Sequence, residues 1–454
     1  MVLAGSAFLA LANGTIDPIC VAALFWFVGL GVACFLFPSM VWERRAFLLT
    51  YGTCVLVAGI AQCSSMLLYG DPQSTRDANE FFHLLSARPP FTTAADLEGI
   101  INAPLAVLIW QRIYALSWLL GLEFGPYTGV LFNALVVALT GSITVRAARE
   151  VLGDGAWRLR RVGTLFACCG MFWLFGAILL RDCFTLLINA IVLWVLLRWL
   201  CRPTFRHSLI AIAATGLSAY LMAYLRQEAV VMLGIFAVTA FLFWYWHEWL
   251  SLRRTIAACV VLSLILVSYA SFSGYSGASL STTSQLRKRY EVFSAKSSSS
   301  DSLGMKLVVM QPLPIRLVAG TGLLLLDPIP LWGNLQTTMF EYNLIKSYQG
   351  VYQIFILPLV FVGVFISMRG ILLGRNVSTP LVFLVAYAAV NFMAIAITSL
   401  ETRHLGQFLP ALLILGAAPD TREPESRRRV TLMRYGWVSV VLLVHLAWLV
   451  MKFK

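Results

Sequence analysis

The apolar residues of this chain arrive in long, nearly uninterrupted blocks, and that feature limits what it can fold into. Twelve stretches approach the about 20 residues an α-helix needs to cross a bilayer. They are 19–37, 46–69, 127–145, 162–180, 183–197, 208–225, 229–245, 255–272, 351–368, 381–400, 405–418 and 435–451. Inside lipid only helices and closed barrels satisfy every backbone polar group, and blocks of this length are helical in kind. The sequence therefore predicts an all-α polytopic membrane protein of about 12 transmembrane helices, forming a single transmembrane domain over residues 1–454. With 59% apolar and 12% charged residues, one water-soluble core is excluded. The nine cysteines sit in or beside the apolar blocks with no CxxC pair, which argues against a zinc site or a disulfide framework. The apolar start Val2–Leu11 has no basic residue before it and a full-length span after it, so it does not read as a cleavable signal.

A net charge of +13 would suggest a nucleic-acid partner in a soluble protein; here its placement decides. Two more apolar stretches, 104–121 and 314–326, are interrupted by Gln111-Arg112 and by Arg316. Read as interfacial or re-entrant segments, they leave one set of loops with 19 of the 34 Lys+Arg and 7 of the 21 Asp+Glu, against 15 and 14 for the other. The basic side is cytoplasmic by the positive-inside rule. The outer side then holds loop 70–125, loop 273–350 and three tight hairpin tips. Nearly every charged residue that could do chemistry thus faces this outer side.

Within the first outer loop, GDPQSTRDANEFFHLLSARPP (70–90) supplies Asp71, Asp77 and Glu80. Asp77, Glu80, Phe81 and Leu84 are spaced for a short interfacial helix with acids and apolar anchors on neighbouring faces. This segment is the candidate reaction site; the plain alternative is a solvated connecting loop. The tips are Arg181-Asp182, Arg226-Gln227-Glu228 and Glu401-Thr402-Arg403-His404. Each either closes its hairpin by a local ion pair or joins a shared site. Arg403 and His404 are suited to a phosphate, with Glu401 steering the guanidinium, whose planar fork matches phosphate oxygens. Residues 281–302 are Ser-rich and carry Arg287-Lys288-Arg289, which reads as a mobile loop with a basic patch. The sequence holds no GxxxxGK[ST], GxSxG or HExxH motif and no soluble nucleotide-binding domain. An activated substrate would then come from the membrane, and an isoprenoid-phosphate sugar fits that requirement.

The order of RDANEFFHLL, PYTGVLFNALVVALTGSITVRAAREVLG, LLRDCFTLLINAIVLWVLLRW, AYLRQEAVVMLGIF and LETRHLGQFLPALLILGA resembles the bacterial GT-C class of integral membrane glycosyltransferases. The likeness covers about residues 70–418 and points to polyprenyl-phosphate-sugar-dependent, protein-mannosyltransferase-like members. It implies Asp77 as the catalytic carboxylate, with Asp71 a rival; Glu80 stays a candidate from the loop itself. The likeness also implies Arg226 and the Arg403-His404 pair near the donor phosphate, Asp182 in a supporting position, and a bacterial inner membrane with the site facing the periplasm. The charged tips themselves add Arg181 as a candidate at the donor phosphate, and Glu228 and Glu401 in supporting positions. The sequence departs from the class at Gln227-Glu228 after Arg226, at His404 where a Tyr is common, and in lacking a large soluble C-terminal domain, which leaves the acceptor open.

The expected function is transfer of a sugar from a polyprenyl-phosphate donor to a glycan or lipid acceptor at the outer face. Asp77 would take the proton of the attacking hydroxyl. The leaving phosphate would be met by Arg226 or Arg403, or by a divalent cation, Mg²⁺ or Mn²⁺, on Asp71 and Glu80; a metal is permitted without being required. The alternatives are a polymerase or ligase of polyprenyl-diphosphate-linked units, and a transporter or flippase, for which broken helices with ionisable groups at mid-membrane are the mark.

Overall fold

Every regular element among the described residues is a helix. The computed structural model describes residues 1–72, 75–86, 103–245, 313–329, 331, 339–373, 378–398 and 402–452. In chain order the helices are α1 (Val2–Asn13), α2 (Asp17–Leu36), α3 (Val41–Tyr69), α4 (Arg76–Leu85), α5 (Pro104–Leu119), α6 (Pro126–Leu152), α7 (Ala156–Ala167) and α8 (Gly170–Ala177). There follow α9 (Asp182–Cys201), α10 (Phe205–Leu225), α11 (Gln227–Tyr245), α12 (Leu313–Leu326), α13 (Phe340–Leu372), α14 (Thr379–Thr398), a 3₁₀ turn (Thr402–Gln407), α15 (Leu409–Ala417) and α16 (Pro424–Lys452). Eight of these, α2, α3, α6, α9, α10, α13, α14 and α16, are long and apolar enough to cross a membrane. The outward faces agree: Phe35, Leu67, Ile212 and Leu442 are among many large apolar side chains left exposed, a pattern that suits lipid and not water. The chain is a polytopic helical membrane protein.

Packing divides it into two compact units: Met1–Trp199 with Thr204–Val230 and Asn334–Tyr352, and Leu200–Pro203 with Val231–Gly333 and Gln353–Lys454. In the first unit α6 is the central element, 89% buried over its most apolar window. Without a hydrophobic force between helices in lipid, close approach depends on small residues, and α1 meets α3 that way. A Cβ on Gly59 would stand 2.3 Å from the Gly5 carbonyl oxygen, and one on Gly5 would stand 2.4 Å from that of Val55. One end of this unit is locked by a buried ion pair. Arg149 Nε and Nη2 donate to Glu43 Oε1 and Oε2 at 2.8 and 2.9 Å, and Glu43 is fully buried. In the second unit Gly363 on α13 lies against α15, where a Cβ would come within 2.0 Å of the Leu415 carbonyl oxygen, and Phe236 packs on Tyr387 at 3.9 Å between ring centroids.

Several apolar blocks are not the single spans that hydropathy suggests. The block 162–180 breaks at Cys168-Cys169 into α7 and α8. The block 405–418 becomes a 3₁₀ turn and a nine-residue helix, all nine residues buried. The block at 351 starts late: α13 begins at Phe340 and takes in the polar EYNLIKSYQG, whose Glu341, Asn343 and Gln349 are buried. Residues 255–272 lie outside the described residues. The two interrupted stretches form α5 and α12, of 16 and 14 residues, each short of the about 20 that a crossing takes.

Candidate functional site

The opening loop folds as its spacing suggests, into the short helix α4. Its buried face is Ala78, Phe81 and Leu85, with Leu84 half-buried at the margin. Asp71, Asp77 and Glu80 are all exposed. Glu80 accepts from Arg76 Nε at 2.8 Å across one helical turn, with both side chains mostly in solvent, a pair of small energetic worth. That hydrogen bond raises the Arg76 guanidinium above its ordinary value. The loop leaves α3 through Gly70, whose φ of +71° is the left-handed conformation that glycine adopts without a Cβ clash. Ser65 Oγ then donates to the Asp71 carbonyl at 2.6 Å and fixes the turn.

A continuous set of contacts runs from α4 to the charged hairpin tips. Phe81 packs edge-on against the fully buried Trp110 of α5, centroids 5.1 Å apart. Trp110 Nε1 donates to Asn133 Oδ1 of α6 at 2.9 Å. Asn133 Nδ2 in turn donates to the carbonyls of Ile178 and Leu180 at 3.1 and 3.2 Å. Those carbonyls belong to the non-helical connection between α8 and α9, where no helical partner is available, so a buried side-chain amide supplies the bonds. That connection ends in Arg181 and Asp182. Asp182 Oδ1 accepts from Arg226 Nη1 at 2.9 Å, with 5% and 13% of the side chains exposed. Two of the three tips are thus tied to each other across 44 residues of sequence. Arg181 is half-buried. The side chain of Glu228, and Glu401 entirely, lie outside the described residues.

The same end of the first unit holds the start of α13. Phe340 N donates to Tyr69 Oη at 3.1 Å, which gives a partner to one of the four N–H groups that a helix start leaves unpaired. The next residue, Glu341, is a buried carboxyl, 5% exposed.

Deeper in this unit, the break between α7 and α8 is closed by side chains. Gln349 Oε1 accepts from Met171 N at 2.9 Å and from Cys169 Sγ at 3.5 Å. Tyr352 Oη donates to the Leu165 carbonyl at 2.8 Å and Tyr348 Oη to that of Cys168 at 3.0 Å. Trp173 Nε1 and Thr53 Oγ1 donate to the Ala167 carbonyl at 2.6 and 3.1 Å.

In the second unit, Arg403 and His404 stand on the 3₁₀ turn, half-buried and buried. Leu405, the next residue, lines a small apolar crevice together with Leu324, Ile356, Phe392, Leu409 and others. The single polar lining residue is Gln353, whose buried Oε1 accepts no hydrogen bond among the described residues. Among the described residues, no group of three or more His, Cys, Asp and Glu is placed to hold a metal ion.

Asn133, Trp110, Gln349 and Glu341 are absent from the sequence-based site. The signal available was a neutral amide or a lone carboxyl inside or beside an apolar block, since such groups persist in lipid only with partners. Comparison with protein families, with curated proteins and with solved structures finds no match to this chain.

Proposed function

We propose that this chain is a membrane glycosyltransferase that moves a sugar from a polyprenyl-phosphate donor to a glycan or lipid acceptor at the periplasmic face of a bacterial inner membrane. The observation that carries the reading is the linkage of α4, which bears Asp77, through Phe81, Trp110 and Asn133 to the Asp182–Arg226 pair. A carboxylate on an exposed, rigidly seated helix and a guanidinium held in one orientation are the two groups that sugar transfer from a phosphate leaving group requires. Asp77 takes the proton of the acceptor hydroxyl as it attacks the anomeric carbon. Asp182 holds the Arg226 guanidinium in one orientation, and the positive charge of that guanidinium stabilises negative charge that develops nearby. In the second unit, a cationic turn at Arg403-His404 next to an apolar crevice is the combination that a lipid phosphate calls for, with its head on a fork and its tail among apolar side chains.

The broken helix α7–α8 favours a second reading, a transporter, because discontinuous helices hold ions through freed carbonyls. The carbonyls freed here, at Leu165, Ala167 and Cys168, are taken by Tyr, Trp and Thr side chains, which speaks for the enzyme. The test is a proteoliposome assay with a radiolabelled polyprenyl-phosphate sugar. A new glycosidic product supports the proposal; appearance of label in the opposite leaflet with no new linkage overturns it in favour of transport.

A further inference from the structure

Gln62 of α3, Thr75 before α4 and Glu341 of α13 line one small crevice of about 250 Å³, mouth included, together with Pro72, Val130 and Ile178. All three polar side chains are buried, at 2%, 6% and 5% exposure. Among the described residues neither Gln62 Nε2 nor Thr75 Oγ1 has a hydrogen-bond partner. The orientation of the Gln62 amide is fixed by its neighbour. Asn13 Nδ2 donates to the Leu9 carbonyl at 2.8 Å and to Gln62 Oε1 at 3.0 Å, so the oxygen of Gln62 is used and its N–H donors remain. Leaving a buried donor unmade costs about 1–3 kcal/mol, and Gln62 and Thr75 sit together on the wall of the same recess.

We infer that this crevice binds a hydroxyl group of a neutral polyol. An anion is disfavoured by the Glu341 carboxyl. A cation would leave the Gln62 N–H donors facing like charge. A hydroxyl both accepts from Gln62 Nε2 and donates to Glu341, with Thr75 Oγ1 able to do either; it takes the place that a single water would otherwise fill. The recess has room for a single hydroxyl and not for a ring, so the carbon frame of the polyol stays at its mouth. On the glycosyltransferase reading, on which this identification of the ligand rests, the bound polyol is the acceptor.

The test uses the full chain in lipid nanodiscs and saturation-transfer NMR, with methyl β-D-glucopyranoside and methyl α-D-mannopyranoside as neutral probes and inorganic phosphate and choline as charged ones. The parent is expected to bind at least one glycoside and neither ion. Thr75→Val and Glu341→Gln, which keep the side-chain shapes, are expected to weaken that binding about tenfold, the factor that follows loss of a hydrogen bond to a charged group, at unchanged thermal unfolding. Gln62→Leu should weaken binding likewise, with some loss of stability because it also removes the acceptor of Asn13 Nδ2. Equal glycoside binding in all three variants, choline binding in place of glycoside, or no glycoside signal from the parent overturns the inference. A parent that binds glycoside through these residues yet makes no glycosidic product keeps the polyol site and removes the transferase reading. A parent that transfers sugar while the variants keep its acceptor KM does the reverse.

Discussion

Asp182 and Arg226 illustrate what single residues contribute and what a sequence conceals about them. Each has an oppositely charged or polar neighbour within two positions, Arg181 in one case and Glu228 in the other, so local pairing is the economical reading of the chain. The structure joins them to each other, nearly buried, at 2.9 Å. Removing one partner of such a pair leaves an uncompensated charge and typically costs about 3–5 kcal/mol. Asp182→Asn and Arg226→Gln are each expected to lower stability by that order, and the double variant by clearly less than the sum. A double-mutant cycle on unfolding measures this, and additive losses would dissolve the pair. Asn133 was still less legible. One neutral amide in PYTGVLFNALVVALTG changes hydropathy little, yet it bonds Trp110 and two carbonyls of the Ile178–Leu180 connection. Asp77 was legible as a residue of a short helix, because the spacing of its acids and of Phe81 survives into the structure as one buried and one exposed face, although the second anchor is Leu85 and the expected Leu84 stands at the margin.

At the scale of elements, hydropathy reported composition and missed continuity. The stretch 162–180 is apolar throughout, but α7 stops at Ala167 and α8 starts at Gly170, because Gln349, Tyr348, Tyr352, Trp173 and Thr53 provide the hydrogen bonds that the helix gives up there. The reverse holds at α13. Its first turns are too polar to count as a span in isolation, and they are helical because the structure buries and pairs them. Both departures come from partners distant in sequence. Gln349→Leu is therefore expected to destabilise the first unit by about 1–3 kcal/mol, the cost of an unmet buried donor at Met171 N. It should also speed maleimide labelling of the buried Cys169 in the folded protein. An unchanged melting temperature together with unchanged labelling would mean that the break does not depend on Gln349.

Over the whole molecule, the class of fold was legible from block length alone, since long apolar runs in lipid leave helices as the ready solution. The number of crossings stays open: eight helices among the described residues qualify, two of the twelve blocks are interrupted, and 255–272 lies outside the described residues. The charge asymmetry remains the argument for orientation. Reporter fusions after Arg161 and Arg429 are expected to read cytoplasmic, and fusions after Pro90 and Ser298, which lie outside the described residues, to read external. An external signal at Arg161 would place the basic α6–α7 connection on the same side as the opening loop and remove the one-sided site. The central claim is that Asp77 removes a proton during sugar transfer, and the most direct measurement compares the parent, Asp77→Asn and Asp71→Asn in a transfer assay alongside donor binding. The account predicts that Asp77→Asn binds donor like the parent and loses about 10² to 10⁴ in kcat, as general-base removal does, while Asp71→Asn keeps most of its rate. Transfer at the parent rate by Asp77→Asn, or the large loss at Asp71→Asn instead, would contradict it.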